Sequence, residues 1–215
     1  MTTIAVIDYG MSNLRSVANA LHHVADDAEI VVTDRAEQIL RADRVVFPGQ
    51  GAARDCMAEL THHGLPEVVR EAAASKPFLG ICMGLQVLLE HSDENDGTAL
   101  LGIVPGKVHY FGRNLSDAKS GEPLKIPQMG WNQVHQEREH PLWAGIPQDS
   151  RFYFVHSYYV EPDDPAQVAG TTDYGRSYCS VLARDNVFAV QFHPEKSQHA
   201  GLALIANFVR WDGSI

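Results

Sequence analysis

Short apolar, β-rich runs alternate with amphipathic helical patterns in the first part of the chain. Strand-like runs occupy residues 3–8, 29–33, 44–47 and 78–81, and helical patterns lie at 12–25, 34–40, 52–62, 66–74 and 85–91. A helix between two strands lets the strands run parallel, and such helices cover the faces of the sheet. The sequence therefore predicts an α/β fold with a mostly parallel central sheet and helices on both faces.

A different pattern begins after Gly97. Turn residues separate six short β-rich segments, at 104–111, 128–134, 152–161, 168–172, 178–184 and 187–192. We expect these segments to add antiparallel strands to the parallel core, and a helix at about 200–211 to close the chain. No linker-like segment divides the sequence, so one domain is predicted for residues 1–215.

The composition excludes several classes of protein. Hydrophobic residues make up 45% of the 215 positions and charged residues 20%, a globular rather than a disordered balance. The formal net charge of −10 argues against binding to nucleic acid or to an anionic membrane. No apolar run reaches the ~18–20 residues that span a bilayer, and the N-terminus lacks the basic region of a signal peptide. Three cysteines, an odd and sparse set, favour the reducing cytoplasm.

The segment G-I-C-M-G at 80–84 is the most informative local motif. A predicted strand runs directly into Cys82, a helical pattern follows, and glycines stand two residues before and two residues after the cysteine. This is the cysteine form of the nucleophile elbow, in which a tight turn exposes the nucleophile and small neighbours permit close approach. Backbone N–H groups at the start of the following helix are then available to a developing oxyanion. The pattern predicts Cys82 as a nucleophile.

Free cysteines are more often buried packing residues than nucleophiles. Only the glycines and the strand–helix context set Cys82 apart from that interpretation. Cys56 lies in a helical pattern and Cys179 in a strand-like segment, and neither has flanking glycines. We therefore expect both of them to be packing residues.

A thiolate nucleophile needs a base that is held by a third group. Among eleven histidines, His193 follows a strand-like segment and precedes Pro194 and Glu195. If this segment is extended, His193 and Glu195 lie on the same side, and the carboxylate meets one imidazole nitrogen while the other faces the thiol. The adjacent histidine pairs at 22–23 and 62–63 do not share a helical face and make poor metal sites. Neither a metal site nor a nucleotide-binding glycine loop is predicted, so no cofactor is expected.

Two motifs, G-I-C-M-G-L-Q at 80–86 and Q-F-H-P-E at 191–195, resemble those of the class I, or triad, glutamine amidotransferases. The resemblance covers essentially the whole chain. It implies a triad of Cys82, His193 and Glu195 that releases ammonia from L-glutamine without a cofactor.

The same resemblance implies further site residues. The segment P-G-Q-G at 48–51 matches the oxyanion strand of the family. The implied oxyanion donors are the backbone amides of Gln50 and Met83. The implied substrate-binding residues are Gly49, Gly51, Gln86, Ser157 and Tyr158.

Three other segments are similar to the glutaminase subunits of imidazole glycerol phosphate synthase, an enzyme of histidine biosynthesis. They are D-Y-G-M-S-N-L at 8–14, P-Q-M-G-W-N at 127–132 and Y-F-V-H-S-Y at 153–158. The chain departs from that pattern at Ser12, where Gly is common, and at Gln128, where His is common.

This closer resemblance implies a heterodimer with a (β/α)8-barrel cyclase subunit that receives the ammonia. Asn13 and Trp131 are then interface residues near the ammonia gate. The alternative is that Trp131 is a core residue and Asn13 a helix cap. Because Gly49 and Gly51 flank Gln50, a further hypothesis is that the Gly49–Gln50 peptide rotates into the oxyanion site only when partner and cyclase substrate are bound.

Other functions compete with this interpretation. The chain could be the glutaminase subunit of another synthase, such as anthranilate or pyridoxal phosphate synthase, which shares the triad. It could also be a non-enzymatic regulatory module, because fold alone does not determine function. A cysteine peptidase or amidase with the same elbow is disfavoured by the flanking motifs.

Overall fold

Twelve strands form one mixed sheet and two more form a separate ribbon in this computed structural model, which describes residues 1–10, 13–117 and 120–214. In chain order the strands are β1 (Thr2–Ile7), β2 (Ala28–Thr33), β3 (Arg44–Gly49), β4 (Phe78–Cys82), β5 (His91–Ser92), β6 (Thr98–Ala99), β7 (Gly106–Tyr110), β8 (Gln128–Gln133), β9 (His135–Gln136), β10 (Arg151–His156), β11 (Tyr158–Pro162), β12 (Val168–Asp173), β13 (Ser177–Arg184) and β14 (Val187–Val190). The helices are α1 (Leu14–Val24), α2 (Ala36–Arg41), α3 (Ala53–His62), α4 (Pro66–Ser75), α5 (Met83–Gln86) and α6 (Gln198–Arg210).

The parallel core has the strand order β2-β1-β3-β4-β14. Every neighbouring pair in it is parallel, as the βα alternation predicts for the first four strands. The prediction for segment 187–192 is wrong, because β14 pairs in parallel with β4 and antiparallel only with β13. All four residues of β14 are buried and apolar, which is typical of a central parallel strand.

Helices cover both faces of the sheet, as predicted. Alternate residues of β1 point to opposite faces, with Ala5 and Ile7 in one buried cluster and Ile4 and Val6 in another. The first cluster contains apolar residues of α2, α3 and α4, and the second contains those of α1 and α6. The sheet is therefore the middle layer of a three-layer α/β structure.

The helix predicted at 85–91 is wrong in position and length. Helix α5 covers only Met83–Gln86, and residues His91 and Ser92 form a short strand. The carbonyl groups of Val87 and Leu88 accept hydrogen bonds from the loop at 101–104 instead of from the next helical turn. Because these acceptors are taken by tertiary contacts, the helix ends after one turn.

The predicted strand at 152–161 is divided at Ser157. Strand β10 pairs with β8 in the two-stranded ribbon, whereas β11 pairs with β7 in the main sheet. The division turns the backbone around Ser157 towards the carboxyl end of β4, where Ser157 and Cys82 line one cavity.

The predicted start of the first helix, Ser12, lies outside the described residues. In the described part of the chain, α1 begins at Leu14 after Asn13.

Within the described ranges, no helix has the length and apolar character that crossing a membrane requires.

Candidate active site

The candidate site lies at the carboxyl ends of two neighbouring parallel strands. Cys82 is the last residue of β4, and His193 follows the end of β14 by three residues. Since β4 and β14 are adjacent and parallel, both residues reach the same edge of the sheet. This edge is where open α/β sheets bind their ligands.

The turn at Cys82 is strained and tightly packed. Its backbone has φ 56° and ψ −106°, a conformation that non-glycine residues rarely adopt. A Cβ atom at Gly84 would lie 1.8 Å from the carbonyl oxygen of Phe47, and one at Gly80 would lie 2.7 Å from that of Gly84. Close backbone approach thus requires both glycines, which confirms the physical reason given for the motif.

His193 and Glu195 form a buried pair. Nδ1 of His193 lies 2.8 Å from Oε1 of Glu195, and both side chains are almost fully buried. The expected contact is present, but the extended geometry predicted for it is wrong. Residues Pro194–Lys196 form a 3₁₀ turn, with the Lys196 amide donating to the His193 carbonyl, and this turn brings the carboxylate back to the ring.

The protonated form of His193 is stabilised at this site. Burial lowers the pKa of the imidazole, but the interactions with the Cys82 thiolate and with Glu195 outweigh burial and raise the pKa to about 10. Nε2 of His193 is buried and has no hydrogen-bond partner among the described residues. It is therefore the nitrogen available to a substrate atom and to the thiol.

A cavity of about 490 Å³ opens at this edge of the sheet. Eight of the residues that the sequence singled out line it: Gln50, Gly51, Cys82, Met83, Gln86, Ser157, Tyr158 and His193. Six lining residues were not singled out, namely Glu94, Pro127, Tyr153, Val155, His156 and Lys196. Most of those six belong to, or directly follow, the motifs at 127–132, 153–158 and 191–195. Their position in these motifs is the sequence feature that could have identified them as site residues.

Gly49, which was predicted to bind substrate, does not line the cavity. It is the last residue of β3 and pairs with Cys82 in the register of β3 and β4. The Tyr9 hydroxyl donates a 2.9 Å hydrogen bond to the Pro48 carbonyl, and a Cβ at Gly49 would lie 2.2 Å from that hydroxyl. This contact anchors the start of the predicted oxyanion strand.

Gln86 connects the cavity to the protein interior. Its Nε2 donates to the carbonyl of Tyr158 at 3.2 Å and to Oε1 of Gln191 at 2.9 Å. The Nε2 of Gln191 in turn lies 3.7 Å from the sulfur of Cys82. Gln191 belongs to the Q-F-H-P-E motif, but its contact with Cys82 was not predicted. A contact between side chains 109 positions apart leaves no local pattern in the sequence.

The two predicted interface residues have different surroundings. The side-chain amide of Asn13 donates to Oε1 of Glu195, and although Asn13 is the N-cap residue of α1, its side chain makes no capping hydrogen bond. Trp131 is 39% exposed on β8 and touches Tyr153 edge-on, so it is not a core residue.

The other two cysteines are packing residues, as expected. Cys56 and Cys179 are buried in the core, and burial raises the pKa of each thiol to about 12. Neither thiol therefore has an appreciable thiolate population at neutral pH.

Among residues 1–10, 13–117 and 120–214, no group of three His, Cys, Asp or Glu side chains could hold a metal ion.

Solved structures share this fold at low sequence identity. A glutamine amidotransferase from Thermotoga maritima aligns with a TM-score of 0.59 at 16% identity, over 90% of this chain and 76% of its own. The glutaminase domain of Trypanosoma brucei CTPS, solved with bound acivicin, aligns with a TM-score of 0.61 at 16% identity, over 99% of this chain and 95% of its own. These likenesses support the fold alone.

Sequence comparisons are more specific. Residues 5–211 match the family described as glutamine amidotransferase class-I. The imidazole glycerol phosphate synthase subunit HisH of Methylococcus capsulatus is 60% identical over 99% of this chain and 98% of its own length. Subunit HisH 1 of Pseudomonas aeruginosa is 57% identical over 99% of both chains. The chain therefore belongs to the class-I glutamine amidotransferases and, within them, to the family of HisH subunits of imidazole glycerol phosphate synthase.

Proposed function

We propose that this chain hydrolyses glutamine to glutamate and ammonia and passes the ammonia to a cyclase subunit. The cyclase then makes imidazole glycerol phosphate and aminoimidazole carboxamide ribotide in histidine biosynthesis. The observation that carries the proposal is that Cys82 and His193 line one cavity and that Glu195 contacts Nδ1 of His193. The high identity to HisH subunits favours this synthase over anthranilate or pyridoxal phosphate synthase.

The first half-reaction is attack of the Cys82 thiolate on the side-chain carboxamide carbon of glutamine. A C–S bond forms, and the tetrahedral intermediate expels nitrogen as its C–N bond breaks. The raised pKa of His193 keeps the imidazolium available at neutral pH, so it can donate its proton to the departing ammonia. The buried carboxylate of Glu195 holds Nδ1, which leaves Nε2 for this transfer.

Two backbone amides would stabilise the oxyanion. The Met83 N–H follows the nucleophile directly at the start of α5, and the second donor is the amide of Gln50. Met83 and Gln50 both line the cavity beside Cys82, which is consistent with these roles. Loss of one such donor typically costs ~2.7–4 kcal/mol of transition-state stabilisation.

The second half-reaction releases glutamate. Water attacks the γ-glutamyl thioester, His193 accepts a proton from that water, and the C–S bond breaks to restore the thiolate. The substrate would be held by Gly51 and Gln86, which line the cavity, whereas Gly49, predicted for the same role, does not line it. The backbone of Ser157 and Tyr158, where β10 gives way to β11, would bind its amino-acid head.

Ammonia must reach the second site unprotonated, because ammonium is not a nucleophile. We therefore propose a heterodimer with a (β/α)8-barrel cyclase that docks around Asn13 and Trp131. The exposed faces of Trp131 and of its neighbour Met129, which is 66% exposed, support a docking surface on this side. The proposed unit is one glutaminase domain of residues 1–215, working in the cytoplasm.

Two features of the predicted oxyanion strand support the proposal that it gates the activity. Tyr9 holds the Pro48 carbonyl, which confines any rotation to the peptides that follow it. Gly51 has φ +100°, so this end of the strand uses a conformation that glycine adopts without strain. We propose that the Gly49–Gln50 peptide turns its N–H towards the thioester site only in the liganded complex.

The test is ammonia release from glutamine by the chain alone, with the cyclase, and with the cyclase and its ligand. We expect weak activity alone and strong activity only with both. High activity of the isolated chain would overturn the gating while leaving the triad intact. Full activity of a Cys82→Ala variant would overturn the proposed chemistry, and the Cys179→Ala variant is the matched control for loss of a thiol.

A further inference from the structure

A continuous run of buried and partly buried hydrogen bonds leads from the Ser157–Tyr158 segment to the sulfur of Cys82. Nδ1 of His156 lies 2.7 Å from the Tyr158 carbonyl oxygen, and that oxygen also accepts from Nε2 of Gln86. The run continues from Gln86 to Gln191 and ends at Cys82. Both glutamines are shielded from solvent, with Gln191 wholly buried and Gln86 3% exposed.

The chemistry of these groups determines which way each amide points. A backbone carbonyl only accepts hydrogen bonds, so the Gln86 atom that faces Tyr158 must be the amide nitrogen. The same nitrogen lies 2.9 Å from Gln191, and only the amide oxygen of Gln191 can accept from it. The amide nitrogen of Gln191 is therefore the atom directed at Cys82, 3.7 Å from the sulfur.

We propose that Gln191 is a further catalytic residue, whose side-chain N–H donates to the Cys82 sulfur and stabilises the thiolate. The inference rests on the proposed role of Cys82 as nucleophile. Helix α5 has only four residues, so its aligned peptides supply little of the dipole that a longer helix would direct at the thiolate. The buried amide of Gln191, which is held by the amide of Gln86, supplies an uncharged hydrogen-bond donor to the sulfur.

This donor differs in kind from His193. The imidazolium gives up its proton to the leaving group, and the neutral ring that results no longer offers a positive charge to the thiolate. The Gln191 amide does not titrate, so its hydrogen bond is available whenever a thiolate is present, including when the thioester is cleaved. Hydrogen bonds to charged groups are stronger than those between neutral groups. Because Gln191 is completely buried, water cannot replace its hydrogen bond to the sulfur.

The decisive measurement is the pH dependence of iodoacetamide alkylation at Cys82, read on the Cys82 peptide by mass spectrometry. This reaction needs the thiolate but neither glutamine nor the oxyanion site. For Gln191→Met, which keeps the side-chain length and removes the donor, we expect the midpoint to rise by about one pH unit. At pH values below both midpoints, alkylation then slows about tenfold. In the complex with cyclase and its ligand, kcat should fall about tenfold while KM for glutamine stays within twofold.

The matched control is Gln136→Met. Nε2 of Gln136 donates to the backbone carbonyls of Ile146 and Pro147, and Gln136 does not line the cavity, so its removal should leave the alkylation midpoint in place. If Gln191→Met does not fold, Gln191→Glu keeps the shape of the side chain and replaces the donor with an acceptor. Its midpoint should also rise.

An unchanged midpoint in a folded Gln191 variant overturns the assignment of Gln191. Absence of ammonia release by the wild-type complex, in contrast, overturns the proposed function and leaves the alkylation result standing on its own. The two failures are therefore distinguishable.

Discussion

The side-chain amide of Asn13 donates a hydrogen bond to Oε1 of Glu195, across 182 positions of sequence. The same oxygen accepts from Nδ1 of His193. The loop between β1 and α1 thus touches the carboxylate that orients the imidazole. A residue predicted to face the cyclase also contacts a member of the proposed triad, so any displacement of Asn13 on docking would reach His193 through one atom.

Asn13→Ala removes this contact, and we expect kcat of the assembled enzyme to fall about 10- to 150-fold, since a lost hydrogen bond to a charged group costs ~1.5–3 kcal/mol. The measurement is steady-state glutaminase kinetics with saturating cyclase. Asn207→Ala is the control, because the Asn207 amide donates to the backbone carbonyls of Leu142 and Ala144 and Asn207 does not line the cavity. Equal kcat values for Asn13→Ala and the wild type would show that Glu195 is positioned without Asn13.

Glu195→Gln should move the alkaline limb of the activity profile to lower pH. Burial lowers the pKa of His193, and Cys82 and Glu195 together raise it to about 10, so the neutral amide of the variant removes part of the raising effect. His193 then loses its proton earlier as pH rises, and leaving-group protonation fails at lower pH. We expect the upper midpoint of kcat/KM to fall by about one unit. The exposed acid Glu161 provides the control variant, Glu161→Gln, whose profile should match the wild type.

The free energy of unfolding should decrease as pH falls from about 6.5 to about 4. Burial lowers the pKa of both His156 and His140 to about 4 in the folded chain, with a smaller contribution from the Arg138 charge at His140. In this window the unfolded chain binds more protons than the folded one, so each histidine contributes a slope of up to about 1.4 kcal/mol per pH unit. Urea unfolding between pH 4.5 and 7 measures the slope. A slope as steep for His140→Gln as for the wild type would contradict this origin.

Gly84→Ala should destabilise the fold by about 3 kcal/mol or more, because the new methyl group would overlap the Phe47 carbonyl at 1.8 Å and a backbone strand must shift. Gly102→Ala is the comparison. No atom lies within 4 Å of its Cβ position, and only its φ of +65° opposes the substitution, at about 1–2 kcal/mol. Urea unfolding at neutral pH separates the two. Similar losses of unfolding free energy in Gly84→Ala and Gly102→Ala would mean that the turn at Cys82 tolerates a larger residue.

Local patterns predicted the parallel core, and they also pointed to the three residues of the proposed triad. Strands with continuous apolar runs and the glycines around Cys82 are visible in short windows of sequence, and the packing at Gly80 and Gly84 has the predicted cause. The orientation of β14 was not predictable in this way. A short apolar strand pairs equally well in either direction until the turn before it fixes which neighbours it meets.

The connections between distant side chains were the least predictable part of the site. The contact of His193 with Glu195 was expected from an extended chain and instead depends on a 3₁₀ turn, which side-chain periodicity does not reveal. Gln191 reaches Cys82, and Asn13 reaches Glu195, only after sheet and helices have assembled. Such contacts depend on tertiary packing, and no spacing within the sequence encodes them.

The position of β14 beside β4 has a consequence for synthesis of the protein. The proposed nucleophile, Cys82, emerges from the ribosome early, whereas the proposed base, His193, follows the strand Val187–Val190, more than a hundred residues later. An unfinished or C-terminally clipped polypeptide therefore carries the thiol without the imidazole that serves it. If the proposed triad is correct, incomplete chains should release no ammonia from glutamine until β14 has joined the sheet.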